Sequence, residues 1–303
     1  MKVIREGEIA NKAPQLTYPA LYSCADEASN GWQWWYLAAI KAEYGLLALA
    51  AVLSLNIFDA PAYHSGYALV FVLSLAVLLY RTNAKPEQAW YRCRAMAESV
   101  KTSTWAYMMH AKPFDGTDAD SGAQLRTRVA DLMKSNEHIA DKLQSAPVGQ
   151  VQTTREMDLV RALPWRQRRD YYVENRISDQ RNWYTNKASQ NDALATRWQV
   201  ASVAVYLIAV TMAISRPTYA SFVPVWPIEP LIVVAASILG WVQIKKFNEL
   251  ASVYRLTALE IGLIEDKLKR VENEVELGEF VNEAELAFSR EHTQWVARQT
   301  NRY

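Results

Sequence analysis

Apolar residues gather in four runs along the chain. The first, Tyr44 to Phe58 (YGLLALAAVLSLNIF), holds no ionisable side chain apart from the Tyr44 phenol. The second, Tyr67 to Tyr80 (YALVFVLSLAVLLY), repeats that character after a short polar loop. At 1.5 Å per residue a helix over the first run rises about 22 Å, short of a hydrocarbon core about 30 Å thick. The flanks supply the rest: Trp34, Trp35 and Tyr36 precede the first run and Ala60 to Gly66 leads into the second. Aromatic side chains suit the water boundary. The competing fold for runs this short is a buried hairpin in a soluble helical protein. Insertion energies favour the membrane. Leu46, Leu47, Leu49, Val52, Leu53, Leu55, Ile57 and Phe58 contribute about −0.3 to −0.6 kcal/mol each, which outweighs the roughly +3 kcal/mol of one central charge, and the run contains none.

A third run, Gln199 to Ile214, and a fourth within Phe222 to Ile244 follow the same plan. In each half a polar helix enters an apolar hairpin, about 44–80 and 199–244, and a second polar helix leaves it. Trp35-Tyr36 ahead of Lys41-Ala42 is echoed by Trp183-Tyr184 ahead of Lys187-Ala188. Tyr91, Arg92, Ala97 and Glu98 after the first hairpin are echoed by Tyr254, Arg255, Ala258 and Glu260 after the second, in registers that differ by about one residue. The pattern predicts an all-α membrane protein with four transmembrane helices, arranged as two hairpins with long cytosolic helical extensions. Its parts are a polar arm (1–19), a first two-transmembrane unit (20–144), a linker (145–154) and a second two-transmembrane unit (155–303). Pro86 reads as the first residue of a helix reaching about Phe114. The acidic stretch DGTDADSG after it reads as a break before an amphipathic segment, Ala123 to Gln144.

Basic residues set the orientation. Asp59 to Gly66 carries no Lys or Arg and Ser215 to Ser221 only Arg216, whereas Lys41, Arg81, Lys85, Arg92, Arg197, Lys245 and Lys246 lie at the other ends of the runs. The excess of positive charge on cytoplasmic loops predicts that both termini and the central region are cytoplasmic.

The C-terminal part has a different period. Leu250, Tyr254, Thr257, Ile261, Ile264, Leu268, Val271 and Val275 alternate spacings of 4 and 3. That is a heptad seam, predicted on one helix over 247–277, with Glu265, Lys267, Lys269, Arg270, Glu272 and Glu274 off the seam. The seam can pack inside the chain or against another copy, and the pattern leaves both open. Gly278 is predicted to end this helix before a last one, Glu279 to Arg298.

Composition narrows the chemistry. Thirty-three basic and 32 acidic residues in 303 leave a net charge of +1, which provides no global basic field for nucleic acid. Cys24 and Cys93 form no C-x-x-C pair and read as reduced thiols of a cytosolic face. His64, His110, His138 and His292 are scattered singly, without HExxH or paired His/Cys spacing. Asp115, Asp118 and Asp120 have the wrong glycine position for an EF-hand loop and lack its closing glutamate, so a solvated turn is expected there. No phosphate-cradling glycine loop and no nucleophile elbow occurs. No catalytic, cofactor-binding or metal-binding residue is therefore assigned and no enzyme activity is expected.

The polar atoms inside the apolar runs are uncharged: Ser54, Asn56, Ser74, Ser202, Thr211 and Ser237. They can bond between helices or to the helix backbone, or line a pore after assembly. Glu229, between Pro227 and Pro230, is expected at the outer interface.

Three segments resemble a known family. ESVKTSTWAYMMHAKPF (Glu98 to Phe114) is similar to the segment after the hairpin in the SLATT family, the two-transmembrane effector domains that accompany nucleotide-second-messenger synthases and sensors in bacterial conflict systems. YYVENRISDQRNWY (Tyr171 to Tyr184) and EFVNEAELAFSREHTQW (Glu279 to Trp295) resemble another branch of it. The resemblance implies an effector of the bacterial inner membrane, working in anti-phage abortive infection. It would assemble in the lipid bilayer as a homo-oligomer and permeabilise or depolarise the membrane, on a signal from a separate nucleotide sensor or synthase. The alternative is a non-conducting membrane anchor for a helical scaffold or sensor.

Overall fold

The computed structural model describes residues 16–137, 142–143 and 152–300, with side chains as far as Phe288. Residues 1–15 of the arm, 138–141 and 144 of the expected amphipathic segment and 145–151 of the linker fall outside the described residues. The described residues form ten α-helices: α1 (Ala20–Leu53), α2 (Pro61–Ala84), α3 (Pro86–Met108), α4 (Asp118–Ser135), α5 (Arg155–Arg161), α6 (Trp165–Tyr172), α7 (Asp179–Tyr219), α8 (Ile228–Lys245), α9 (Phe247–Leu268) and α10 (Glu274–Thr300). A π-helical turn, Val173–Ser178, joins α6 to α7. The described residues contain no β-strand.

The chain divides into two compact units, and neither is a sequence half. Unit 1 comprises Met1–Gln33, Glu87–Arg181 and Glu260–Tyr303, and unit 2 comprises Trp34–Pro86 and Asn182–Leu259.

Unit 2 holds all four apolar runs. Four helical stretches are long and apolar enough to cross a membrane, and at most 17% of the apolar window in any of them is buried. Leu47, Phe71, Val72, Leu207 and Ile232 are among the large side chains left exposed. α1 ends at Leu53, short of Phe58. Asn56 adopts a left-handed φ of 49°, a conformation that asparagine tolerates, and the Tyr63 hydroxyl donates to the Leu53 carbonyl at 2.7 Å. α2 starts at Pro61, six residues ahead of the apolar run, because proline is preorganised for the first helical position. At the far ends of the first two apolar runs α1 and α2 are joined by Arg81–Glu43 at 3.2 Å and by Trp35 against Tyr80 at 6.5 Å between ring centres. α8 begins at Ile228, inside the stretch Phe222 to Ile244, and Glu229 lies exposed in its first turn, where the helix dipole favours a carboxylate.

Unit 1 packs around Trp105, which is fully buried. Its indole N–H donates to the Tyr18 hydroxyl at 3.0 Å, and its ring meets Tyr171 and Tyr172. α4 starts at Asp118, ahead of the predicted Ala123. The Thr117 hydroxyl caps it by accepting from the Asp120 amide, and Asp118 and Asp120 oppose the positive end of its dipole. The acidic stretch is thus a helix start as much as a break.

The tail departs from one helix over 247–277. α9 stops at Leu268, and α10 begins at Glu274 behind an asparagine cap: Asn273 Oδ1 accepts from the Glu276 amide at 2.9 Å and the Glu276 carboxylate accepts from Asn273 Nδ2 at 2.7 Å. Gly278 lies inside α10 rather than ending a helix. A Cβ there would stand 3.0 Å from the His110 carbonyl oxygen, so glycine serves close approach to the end of α3.

The duplication shows at residue level. α2 and α8 both end on a lysine in the left-handed conformation, Lys85 (φ 45°) and Lys246 (φ 48°), each followed directly by the next helix. Arg94, nine residues after Lys85, pairs with Asp26 of α1 at 3.0 Å. Arg255, nine residues after Lys246, pairs with Asp192 of α7.

Candidate functional site

The uncharged polar residues of the membrane runs differ in exposure. Ser54, Asn56 and Thr211 are exposed, and Ser74, Ser202 and Ser237 are half-buried. Four of the hydroxyls return to their own helices: Ser54 to Ala51 O, Ser74 to Val70 O, Thr211 to Leu207 O and Ser237 to Val233 O, each at 2.8 Å. Such back-bonding commits the hydroxyl proton and leaves the oxygen as an acceptor.

The heptad seam runs from half-buried to buried. Leu250, Tyr254 and Ile264 are half-buried, Ile261, Leu268 and Val271 are buried, and Val275 is exposed beyond the break. In unit 2, Tyr254 packs against Trp183 and Tyr184 at 5.6 and 5.7 Å. The buried seam positions therefore pack within a single chain.

An ionic network absent from the sequence-based assignments ties α10 into unit 1. Arg176, on the π-helical turn, forms a fork with Glu285 of α10, and Tyr172 donates to the same carboxylate at 2.9 Å. Burial alone would lower the Arg176 pKa, but the facing Glu285 carboxylate outweighs it and drives the value above the ordinary one. Burial raises the Tyr172 phenol well above its usual range, with Glu285 adding to the shift, so the phenol stays a donor. Arg168 pairs with Glu274 at the start of α10, and His110 Nδ1 stands 3.4 Å from the same carboxylate. The π-helical turn presents Arg176 and Ile177 to the core, in keeping with the functional placement common for such turns. The available signal was an arginine in YYVENRIS and a glutamate in EAELAF, two of the segments that carry the family resemblance.

Arg161 closes the loop between α3 and α4. It donates to the carbonyls of Tyr107, Phe114 and Gly116, to Ser121 Oγ at 3.0 Å and to Asp118 at 2.8 Å. A cleft of about 340 Å³ beside it is lined by Tyr107, Asp118, Gly122, Arg126 and Asp158. Burial and the bond to Asp158 push the Tyr107 phenol up to about 12. With two aspartates facing two arginines, the cleft has no strong preference for ligand charge. Among the described residues no group of three His, Cys, Asp or Glu side chains is placed to hold a metal ion. His64 is exposed near Asp59, and the side chains of His138 and His292 lie outside the described set. Cys24 and Cys93 form no disulfide.

Two family models cover most of this architecture. Residues 19–169 match SMODS and SLOG-associating 2TM effector domain 3, and residues 172–295 match SMODS and SLOG-associating 2TM effector domain 1. The chain belongs to the SLATT family. It carries two SLATT domains of different branches in tandem, and the junction between the matches falls next to the π-helical turn. Its four membrane-capable helices agree with two 2TM domains and make this SLATT protein a multi-pass membrane protein. Comparison with curated proteins and with solved structures finds no match in either.

Proposed function

We propose that this tandem SLATT protein is an effector of the bacterial inner membrane, with both termini cytoplasmic, that assembles into a homo-oligomer and permeabilises the membrane when infection is sensed. The observation that carries the reading is the apolar surface of unit 2 in a chain built of two effector domains. None of the apolar window in the helix leading to Tyr219 is buried, so lipid or further copies must cover it. The family's description as associating with SMODS and SLOG supports a separate nucleotide-second-messenger synthase or sensor as the source of the signal. With Ile261, Leu268 and Val271 turned inward, assembly through α9 falls to Leu256, Leu259 and Leu263, which are 58, 64 and 67% exposed at spacings of 3 and 4.

A non-conducting anchor is the second reading. It is favoured by the hydroxyls of Ser54, Ser74, Thr211 and Ser237, whose protons are spent on backbone carbonyls of their own segments. A potential-sensitive dye separates the two readings. An effector that permeabilises collapses the potential on activation, and an anchor leaves it intact.

A further inference from the structure

Within unit 2, α1, α7 and α8 meet at Trp241. Gly240 faces the Tyr44 ring: a Cβ there would stand 2.8 Å from its Cζ, so a larger residue would displace the Tyr44 side chain. One turn before Tyr44, Lys41 places its ammonium 5.5 Å from the centre of the Trp241 ring. One turn after Trp241, Lys245 stands 5.9 Å from the same ring. Trp198 of α7 closes another side of the indole at 6.4 Å. Lys41 and Lys187 both act on Lys245 as like charges.

The other pair of apolar runs is finished differently at the same boundary. There Arg81 of α2 is answered by Glu43 of α1. Lys41 and Lys245 have no ion-pair partner among the described residues, and the Trp241 indole nitrogen is buried without a hydrogen-bond acceptor. Lys41 lies three residues before its apolar run and Lys245 directly after its own, the depth at which headgroup phosphates sit. Two cations over one indole ring leave their charge free for an oxyanion, and a basic pocket between transmembrane helices at this level is suited to an anionic lipid.

We propose that Lys41 and Lys245, held over the Trp241 ring, bind the phosphate of an anionic phospholipid headgroup through their ammonium groups. The site requires unit 2 to span the bilayer and is independent of whether the spans conduct.

The test uses the full chain in nanodiscs of phosphatidylcholine, with and without phosphatidylglycerol, following the midpoint of thermal unfolding. Phosphatidylglycerol raises the wild-type midpoint. The Lys41→Gln/Lys245→Gln variant loses most of that rise, Lys41→Arg/Lys245→Arg keeps it, and Lys85→Gln, a charge removed elsewhere on the same side, also keeps it. Inorganic phosphate added to phosphatidylcholine discs leaves the midpoint unmoved. In wild-type protein, headgroup-spin-labelled phosphatidylglycerol quenches more tryptophan fluorescence than in Trp241→Phe, a readout that does not depend on the stability of the lysine variants. The proposal is overturned by an unchanged rise in the double Gln variant, by an equal loss in Lys85→Gln, by a phosphate effect matching that of the lipid, or by equal quenching in Trp241→Phe. A chain that enters no nanodisc contradicts the membrane-spanning reading together with the site.

Discussion

Arg176 and Glu285 face each other out of solvent, with Nε to Oε1 at 2.8 Å and Nη2 to Oε2 at 2.6 Å. The fork joins the π-helical turn to α10 across more than a hundred residues of sequence. Removing one partner leaves a buried charge without compensation. Glu285→Ala is expected to cost about 3–5 kcal/mol, whereas Arg176→Met/Glu285→Leu recovers most of it, because a buried pair replaced by apolar groups is close to neutral. Hydrogen exchange in α6 and α10 is the measurement. Equal loss of protection in the single and double variants would contradict the role of the pair.

His110 links pH to the same helix. Burial holds its pKa below the usual 6.5, the Arg168 and Arg161 charges add to the shift, and the bond to the Arg161 carbonyl and the nearby Glu274 partly offset it. The unfolded chain therefore binds a proton more readily than the folded one. The stability concerned is present above about pH 6.5 and is lost as pH falls through the lower folded-state value. His110→Gln should flatten the loss of stability between about pH 7.5 and 5.5. A slope unchanged in the variant would rule out His110 as its source.

Two glycines in helices should respond with opposite sign. Gly262 has open space around the position a Cβ would take, with nothing within 4 Å, so Gly262→Ala should gain about 0.5–1 kcal/mol from helix propensity. Gly278→Ala gains the same propensity but drives a methyl group against the His110 carbonyl at 3.0 Å, and a net loss of about 1 kcal/mol is expected. Thermal melts of the two variants decide the matter. A stabilised Gly278→Ala would mean that α10 can shift away from α3.

The two sides of α9 should separate folding from assembly. Ile261 is 1% exposed, so Ile261→Lys buries an unpaired charge and should destabilise the chain by several kcal/mol, about 3 or more. Leu259 is 64% exposed, so Leu259→Lys should leave the unfolding midpoint in place while reducing cross-linking between copies. If Leu259→Lys leaves cross-linking intact, assembly uses another surface.

The apolar runs were legible because a lipid-facing helix needs no partner to reveal itself: Leu, Val and Phe without charge over 14 or 15 residues are sufficient. The helix ends were less so. Pro61 and Thr117 start helices ahead of the periodic residues, and the Asn273 cap divides a seam whose spacing continues through it. Gly278 shows why: a glycine read as a stop signal was required by a backbone from another part of the chain. The Arg176–Glu285 pair lay beyond local reading for the same reason, since 109 residues separate its members and each alone resembles a solvated charge. The grouping of the chain into units drawn from both halves likewise follows from long-range packing that no local period records.

The central claim concerns the membrane, and the most direct measurement is the membrane potential of cells expressing the full chain, followed with a potential-sensitive dye as the protein is activated. The account predicts that the potential collapses with wild-type protein and is preserved by a variant unable to assemble, such as Leu256→Lys/Leu259→Lys. An intact potential on activation of a folded, membrane-inserted wild-type protein would contradict it.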